Sequence, residues 1–270
     1  MFMFPAFSQL QRQEDIKVKT GDGGTIFDIA VVSDTRLLVI VYGNKRVILV
    51  NSQTGGTVAK VSLKSNPRRV CMFNNIMAVV TLSDKSLQLI NINGYSLELG
   101  QSFCVNGDAR GVARSEDKIV LSYESPPGLQ VLSMDGTVMH TFNTRAAGTD
   151  VFKYPSFIAT STDGMIYVSD RDISTVTQLD SNLVVTRTYS DAILQNPRGI
   201  ICVSADQVMV CSYGNNRILL LCPSTGAITS ILGQQDGIKM PWALTYSPPQ
   251  KKLYVVPNET SGRIQVFQQQ

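Results

Sequence analysis

The chain carries one stretch twice: residues 29–55 read IAVVSDTRLLVIVYGNKRVILVNSQTG, and residues 200–226 read IICVSADQVMVCSYGNNRILLLCPSTG. The two copies align without a gap, and 11 of the 27 positions are identical, including the run Tyr-Gly-Asn. Their offset, 200 − 29 = 171 residues, equals four units of about 43 residues, which is typical of a radial or stacked repeat fold. In such a fold a binding site lies on the loops of one face or in the central channel.

A four-residue motif marks the start of each of the six repeat units. The motifs are Ile26-Phe27-Asp28-Ile29, Pro67-Arg68-Arg69-Val70, Ala109-Arg110-Gly111-Val112, Pro155-Ser156-Phe157-Ile158, Pro197-Arg198-Gly199-Ile200 and Pro241-Trp242-Ala243-Leu244. Each unit contains four short runs rich in Val, Ile, Leu and Thr that end at Gly, Asn, Asp or Pro, a pattern that indicates strands. Six units of four strands predict an all-β fold, a six-bladed β-propeller of four-stranded antiparallel blades.

The predicted blades fill the chain as a single domain. We expect them at about residues 25–64, 66–106, 108–146, 154–193, 196–236 and 240–270. The last unit ends after a third strand at residues 263–267, whereas residues 14–20 contain an apolar run that belongs to no unit. Because an unpaired sheet edge invites aggregation, we predict that residues 14–20 pair beside residues 263–267 and close the ring.

Composition restricts the class of protein. The net charge of +3 is too small to indicate nucleic-acid binding by itself, and no apolar run approaches the 18 residues of a membrane-spanning helix. The start, MFMFPAFSQLQRQ, has no basic segment before its apolar stretch and no small-residue cleavage site, so we expect no signal peptide and a cytoplasmic protein. The five cysteines lack Cys-x-x-Cys spacing, which favours reduced core thiols over a disulfide or metal framework.

Short motifs distinguish among propeller families. The chain has one Trp, one His and no Trp-Asp pair, unlike WD40 repeats, and it has Gly-Gly in only two places, unlike kelch repeats. The combination of Pro-x-Gly-Ile with Gly-Asn-x-Arg resembles the NHL repeat. Unit five carries Pro197-Arg198-Gly199-Ile200 and Tyr213-Gly214-Asn215-Asn216-Arg217, and unit one carries Tyr42-Gly43-Asn44-Lys45-Arg46. Units two and three have largely lost the second half of the pattern, so the resemblance is specific in about three units.

The whole ring most resembles the six-bladed NHL domain at the C-terminus of tripartite-motif ubiquitin ligases. The RING, B-box and coiled-coil parts of those ligases are absent from this sequence. The resemblance implies a domain that recognises the protein substrate of a ligase, or a stand-alone relative of such a domain.

The loops on one face of the predicted propeller collect basic, amide and aromatic side chains. The turn before the innermost strand and the turn between the second and third strands emerge on the same face of a propeller. We therefore predict a partner-binding face made of Phe27, Arg68, Arg69, Arg110, Arg198 and Trp242 from the first kind of turn, and of Asn44, Lys45, Arg171, Asn215 and Asn216 from the second. Arginine beside aromatic rings suits carboxylates, phosphates or stacked bases.

Some basic and aromatic side chains have a structural alternative. A scaffold role is favoured for the arginines that follow the Gly-Asn turn or its equivalent: Arg46, Arg217 and Arg263. Trp242 could equally pack against a neighbouring blade. The arginines of the four-residue motifs differ between units while the adjacent Ile or Val does not, which favours contact with a partner.

The sequence shows no catalytic constellation, so we expect no enzymatic activity, no cofactor and no metal. The one histidine, His140, falls in the outer strand of unit three, where it suits neither a Ser-His-Asp triad nor a channel metal. No GxxxxGK[ST] or GxGxxG loop follows a strand. Asp170 and Asp172 could bind a cation, but Asp residues in turns normally accept hydrogen bonds from backbone amides.

Three functions remain open at this point. The predicted face favours binding of an extended, acidic or phosphorylated segment of a protein partner, without a membrane or a small-molecule cofactor. The same face could bind single-stranded RNA, with phosphates on its arginines and bases on Phe27 or Trp242, although the net charge is small and aromatics are only 7% of the chain. The third alternative is a metal-dependent hydrolase or lactonase with its metal in the channel.

Overall fold

The computed structural model describes residues 10–143 and 151–270. Over those two ranges the chain forms 25 strands and two short 3-10 turns, Tyr213–Asn215 and Gln234–Asp236, without an α-helix. The strands make six antiparallel sheets, and the innermost strands of successive sheets contact one another around a closed ring. The predicted six-bladed, all-β propeller is therefore confirmed. The end of the predicted third blade, residues 144–146, lies outside the described residues.

Each sheet forms one blade, with its strands in sequence order from the channel outward. Two N-terminal strands, β1 (Leu10–Arg12) and β2 (Ile16–Lys17), precede the blades. Blade 1 comprises β3 (Thr25–Ser33), β4 (Arg36–Tyr42), β5 (Arg46–Asn51) and β6 (Thr57–Ser62). Blade 2 comprises β7 (Pro67–Asn74), β8 (Met77–Leu82), β9 (Ser86–Asn93) and β10 (Ser96–Cys104). Blade 3 comprises β11 (Ala109–Ser115), β12 (Lys118–Glu124), β13 (Pro127–Leu132) and β14 (Val138–Asn143).

The second half of the ring repeats this order. Blade 4 comprises β15 (Pro155–Thr160), β16 (Ile166–Asp170), β17 (Thr175–Leu179) and β18 (Val185–Tyr189). Blade 5 comprises β19 (Pro197–Ser204), β20 (Gln207–Ser212), β21 (Arg217–Cys222) and β22 (Ala227–Leu232). Blade 6 comprises β23 (Pro241–Ser247), β24 (Lys252–Pro257) and β25 (Arg263–Gln269), and it takes its outer strand from the N-terminus.

The N-terminal segment closes the ring, as predicted. Both β1 and β2 pair antiparallel with β25: Leu10 lies opposite Gln269, and Ile16 lies opposite Ile264. The pairing starts earlier than residue 14 because Leu10 packs on the apolar cluster that contains Phe267. The closing strand is therefore two short pieces rather than the single run at residues 14–20.

The core lies between neighbouring blades. The second and third strands of each blade are buried on both faces, which is why their sequences are nearly continuous apolar runs such as residues 37–41. The outermost strands, such as β6 and β10, are mostly exposed. Because the two middle strands of each blade are packed between the neighbouring blades, the start of each innermost strand is held in a fixed position around the channel.

Among the described residues, no helical segment has the length and apolar character needed to cross a membrane.

Candidate functional site

Arg69 lies across the mouth of the central channel. Its side chain starts on β7 in blade 2, yet its Cζ is 3.6 Å from the centroid of the Phe157 ring in blade 4 and 5.6 Å from that of Trp242 in blade 6. Arg69 Nη1 donates to the backbone oxygens of Arg68 (2.8 Å) and of Phe27 in blade 1 (3.3 Å). Since these contacts involve blades 1, 2, 4 and 6, the Arg69 side chain closes the channel at this face.

Three aromatic rings surround Arg69, and a fourth ring, Tyr213, packs on one of them. The Trp242 ring centroid lies 5.2 Å from that of Phe27, 6.1 Å from that of Tyr213 and 6.3 Å from that of Phe157. The Trp242 Nε1 donates to the backbone oxygen of Phe27 across the junction of blades 6 and 1 (3.0 Å). We call Arg69 with these four rings the channel plug. Phe27 and Trp242, which were expected to contact a partner, pack within it.

A buried carboxylate balances the charge of Arg69. Asp28 Oδ1 accepts a hydrogen bond from the N–H of Ile29 and Oδ2 accepts one from the N–H of Val70, both at 3.0 Å. Burial raises the pKa of Asp28 to about 6, against the opposing effect of the Arg69 cation. Burial also lowers the pKa of Arg69 to about 10, against the opposing effect of Asp28. Both groups thus face each other in a poorly solvated place.

Arg198 lies beside the plug and pairs with aromatic rings instead of carboxylates. Its Cζ is 4.7 Å from the Trp242 ring centroid and 5.2 Å from that of Tyr213. No carboxylate of the described residues lies within 4.0 Å of Arg198 in an ion pair, and its Nε is buried without a hydrogen-bond partner. Burial lowers the pKa of Arg198, and the nearby Arg171 cation lowers it further. This guanidinium has unused capacity to bind an anion.

Arg171 continues the positive charge into blade 4. Its Cζ lies 3.3 Å from the centroid of the Tyr154 ring, and its Nε is 3.1 Å from Oδ1 of Asp172. Arg110 in blade 3 also lies near this ring, with its Cζ 5.8 Å from the centroid. Tyr154 therefore links two guanidiniums of neighbouring blades.

The remaining predicted arginines are paired with carboxylates. Arg110 Nη2 forms ion pairs with Asp108 (3.2 Å) and Glu124, and Arg68 Nη2 contacts the same Asp108 oxygen at 3.0 Å. The sequence prediction did not include these carboxylates, nor Tyr154 and Tyr213. Asp108 directly precedes the motif of unit three, so its position in the repeat was the one feature of the sequence that could have identified it as a site residue.

Two of the predicted amides hold loops together. Asn44 Nδ2 donates to the backbone oxygen of Thr20, and Asn215 Nδ2 donates to that of Ile193, both at 2.7 Å. Each bond links the turn after the second strand to the segment that leads into the same blade. The structure therefore does not bring these amides into contact with the plug.

Asn216 and Lys45 also lie in turns away from the plug. Asn216 Oδ1 accepts a hydrogen bond from the N–H of Met240 at 2.7 Å, which ties blade 5 to blade 6. Lys45 is exposed, and its backbone oxygen accepts a hydrogen bond from the N–H of Leu63. Of the two, only Lys45 has a side chain that is freely accessible to a partner.

The residues considered for catalysis or metal binding lie apart from the plug. His140 is exposed on β14, the outer strand of blade 3. Asp170 accepts hydrogen bonds from the N–H groups of Lys153 (2.7 Å), Tyr154 (2.8 Å) and Asp172 (3.1 Å), so it organises its loop. Within residues 10–143 and 151–270, no group of three or more His, Cys, Asp and Glu side chains could hold a metal ion.

Comparison with known proteins identifies a shared fold. No family model and no curated protein matches the chain, so the NHL resemblance stays a prediction. Virginiamycin B lyase from Staphylococcus aureus has a similar structure. A catalytically inactive histidine-to-alanine variant with quinupristin is 12% identical, with a TM-score of 0.71 over 96% of this chain and 99% of that one. The selenomethionine form is 14% identical, with a TM-score of 0.70 over 96% and 89%. A functionally unknown protein from Desulfotomaculum acetoxidans is 15% identical, with a TM-score of 0.63 over 83% and 73%.

These neighbours correct the prediction that the chain is not an enzyme. Two of them are structures of a lyase, so a propeller of this shape can be catalytic. The prediction failed because it rested on motifs, whereas the loops of a repeat fold can carry reactive groups without any fixed spacing. At 12% and 14% identity the likeness shows the fold and transfers neither the histidine nor the substrate of the lyase.

Proposed function

We propose that this propeller is a binding module whose arginine- and tyrosine-lined face takes an extended, acidic or phosphorylated segment of a protein partner. The observation that carries the proposal is Arg198, a largely buried guanidinium that contacts Trp242 and Tyr213 but forms no ion pair with a described carboxylate. A carboxylate or phosphate on Arg198 would supply the charge-assisted hydrogen bonds that the chain leaves unmade.

The cations around Arg198 favour an extended ligand over a single ion. A row of four arginines and one tyrosine runs from blade 5 to blade 2. We call this row the basic strip; in order, it consists of Arg198, Arg171, Tyr154, Arg110 and Arg68. Towards blade 2 the strip is neutralised by its own carboxylates, so the strongest anion should bind at the Arg198 end. Weaker acidic groups of the same segment would then exchange with the carboxylates along the strip.

The propeller also holds the strip rigid before any ligand arrives. Ser169 Oγ in blade 4 donates to the backbone oxygen of Arg198 in blade 5 at 2.7 Å, which fixes the start of β19 against its neighbour. Little side-chain and loop ordering is then lost on binding, which favours affinity for a short segment.

The test uses the only tryptophan of the chain as its reporter, because Trp242 lies beside Arg198. An acidic peptide with one phosphoserine is titrated while tryptophan fluorescence is followed. Arg198→Gln should weaken binding by about tenfold or more, since a hydrogen bond to a charged group contributes roughly 1.5–3 kcal/mol.

A matched control comes from the same blade. Arg217 is exposed on β21, and Arg217→Gln removes one positive charge without touching the strip. It should leave the affinity within about twofold, in line with the small effect expected of an exposed charge. Equal losses in the two variants would show that only net charge matters, and the proposed site would be rejected.

Single-stranded RNA is the competing occupant, and the packing of the plug argues against it. Phe27 and Trp242 pack on each other and on further rings, so neither offers a free face for a base. Titration with a single-stranded RNA pool at low and at moderate salt decides the matter. Tight binding with a steep salt dependence would replace the protein segment by RNA.

The more specific role, recognition of a ligase substrate, rests on the NHL-like motifs, which are most complete in units one and five. If the chain serves a ubiquitin ligase, the segment bound at Arg198 should belong to a protein that becomes ubiquitinated. Cross-linking from the strip in cells, followed by identification of the bound proteins, tests this. Partners that are never ubiquitinated would remove the ligase role and leave the binding module.

A further inference from the structure

Below the plug, the central channel forms a pocket of about 800 Å³. Its wall is made by the innermost strands and is about as polar as it is apolar: it includes Ile29, Val112 and Ile200 together with Ser115, Thr160 and Ser161. Pockets for small molecules usually occupy about 300–1,000 Å³, so this volume suits a ligand and not only water.

The pocket is closed at one end and open at the other. Arg69 and Asp28 line the closed end beneath the aromatic rings, where they are 5% and 8% exposed. The opposite end is lined by the exposed residues Arg114, at the end of β11, and Glu116 and Thr162, in the turns that join the first and second strands of blades 3 and 4. A ligand would therefore enter from the face opposite the basic strip.

The inner strands lie close to their neighbours around the pocket. A Cβ on Gly111 would be 3.2 Å from the backbone nitrogen of Ile158 in blade 4, and a Cβ on Gly199 would be 2.8 Å from the Cα of Ala243 in blade 6. The wall of the pocket runs along the inner strands. Its length follows from Phe157 at one end and Thr162 at the other: they are five residues apart, which corresponds to roughly 16 Å at about 3.3 Å per residue. The pocket is thus long enough for an extended molecule of moderate size.

The closed end carries hydrogen-bond donors without acceptors. Arg69 is 5% exposed, and its Nε is buried with no partner. Nη1 donates to two backbone oxygens, whereas Nη2 makes no hydrogen bond within residues 10–143 and 151–270. Both Asp28 oxygens already accept hydrogen bonds from backbone N–H groups. Asp28 therefore balances the charge of Arg69 without accepting a hydrogen bond from the Arg69 guanidinium. Buried donors of this kind normally have a partner.

We propose that the channel binds a small carboxylate with an apolar body, which enters at the Arg114 and Glu116 end and places its carboxylate on Arg69. The apolar body lies against the aliphatic part of the wall, which includes Ile29, Val112 and Ile200, and the carboxylate supplies the acceptors that Arg69 lacks. The plug separates this pocket from the basic strip, so the proposal stands independently of the proposed function.

The first test compares three probes on the unmodified protein by isothermal titration calorimetry. Decanoate has both the carboxylate and the apolar body, decanol has only the body, and acetate has only the carboxylate. Decanoate should bind with one-to-one stoichiometry and at least tenfold more tightly than either of the others, as expected for a charge-assisted hydrogen bond. Equal binding of decanoate and decanol, or no binding of decanoate, would overturn the proposal.

The second test uses two arginines at opposite ends of the pocket. Arg69→Met should reduce decanoate affinity by about tenfold to a hundredfold, whereas Arg114→Met, which removes an exposed arginine at the open end, should change it little. Equal effects of the two variants would contradict the placement. If Arg69→Met does not fold, the comparison of decanoate with decanol on the unmodified protein decides alone.

A third arm separates this site from the basic strip. Arg198→Gln should retain decanoate binding, and decanoate at saturation should leave the affinity for the phosphoserine peptide unchanged. Competition between the two probes would place decanoate on the strip and refute the channel site. Absence of peptide binding by the unmodified protein, with decanoate still bound, would refute the proposed function and leave the channel site standing.

Discussion

The N-terminal segment offers a quantitative test of how the ring is closed. Ile16 on β2 is 5% exposed and belongs to the same buried cluster as Val18 and Ile264. The strand also lies close to blade 1, because a Cβ on Gly55 would be 2.4 Å from the backbone oxygen of Lys17. The segment therefore bridges the last blade and the first, and its apolar side chains should stabilise the whole ring.

We predict that Ile16→Ala lowers the free energy of unfolding by about 2–5 kcal/mol, the usual range for truncating a buried isoleucine. In a chain of this size, 1 kcal/mol shifts Tm by roughly 2–4 °C, so the Tm should fall on the order of 10 °C. Lys17→Ala is the matched control, because Lys17 is exposed in the same strand. Its effect should stay within about 0.5 kcal/mol.

The assay is thermal unfolding followed by circular dichroism, together with urea unfolding for the free energies. A deletion of residues 1–20 removes β1 and β2 and should lower the Tm more than Ile16→Ala does. An unchanged midpoint in the deletion variant would show that the ring is stable without its closing strand. Equal destabilisation by Lys17→Ala would show that burial of Ile16 is not the cause.

Three further predictions concern charge and backbone. Burial raises the pKa of Asp28 to about 6 from 3.8, so its contribution to stability is present below the lower value and is lost as pH rises through the upper one. The stability difference between wild type and Asp28→Asn should therefore fall by about 2 kcal/mol between about pH 4 and pH 7, which urea unfolding measures. Gly43→Ala should cost about 1–3 kcal/mol, because φ is +86° and the new Cβ would lie 2.6 Å from a backbone oxygen. Gly94→Ala, at φ +59° with nothing within 4 Å, should cost less in the same assay. Glu259→Gln should lower the free energy of unfolding by less than about 1 kcal/mol, since its ion pair with Arg263 is partly exposed; a larger loss would mean that the pair carries loop structure.

The repeat made the architecture predictable because each unit is a local pattern. Strand-length apolar runs and turn residues recur about every 43 residues, and such runs cannot be buried except by packing unit against unit. The spare run at Ile16 and the short last unit together predicted the closure. The earlier start at Leu10 was not predictable, because it depends on a contact with Phe267 at the other end of the chain.

The candidate site was predictable only in part. The motif positions bring Arg69 and Arg198 into contact with Trp242, since every unit begins its inner strand at the same level of the ring, whereas their role towards a partner stays a prediction. Their partners were not predictable: Arg69 and Phe157 share the third position of the motif, but only the folded ring shows that the Arg69 side chain reaches across to blade 4. For the same reason, the sequence could not distinguish Arg110, which pairs with Glu124, from Arg198, which pairs with rings.

The amino-acid sequence was sufficient to predict the fold, because strand-length apolar runs, turn residues and repeat length act within each unit. The tertiary structure alone decided which arginines are free, which are neutralised and which one closes the channel. Charge pairing acts across the ring between residues that are distant along the chain, and small differences in distance decide whether a guanidinium finds a carboxylate, an aromatic ring or no partner at all.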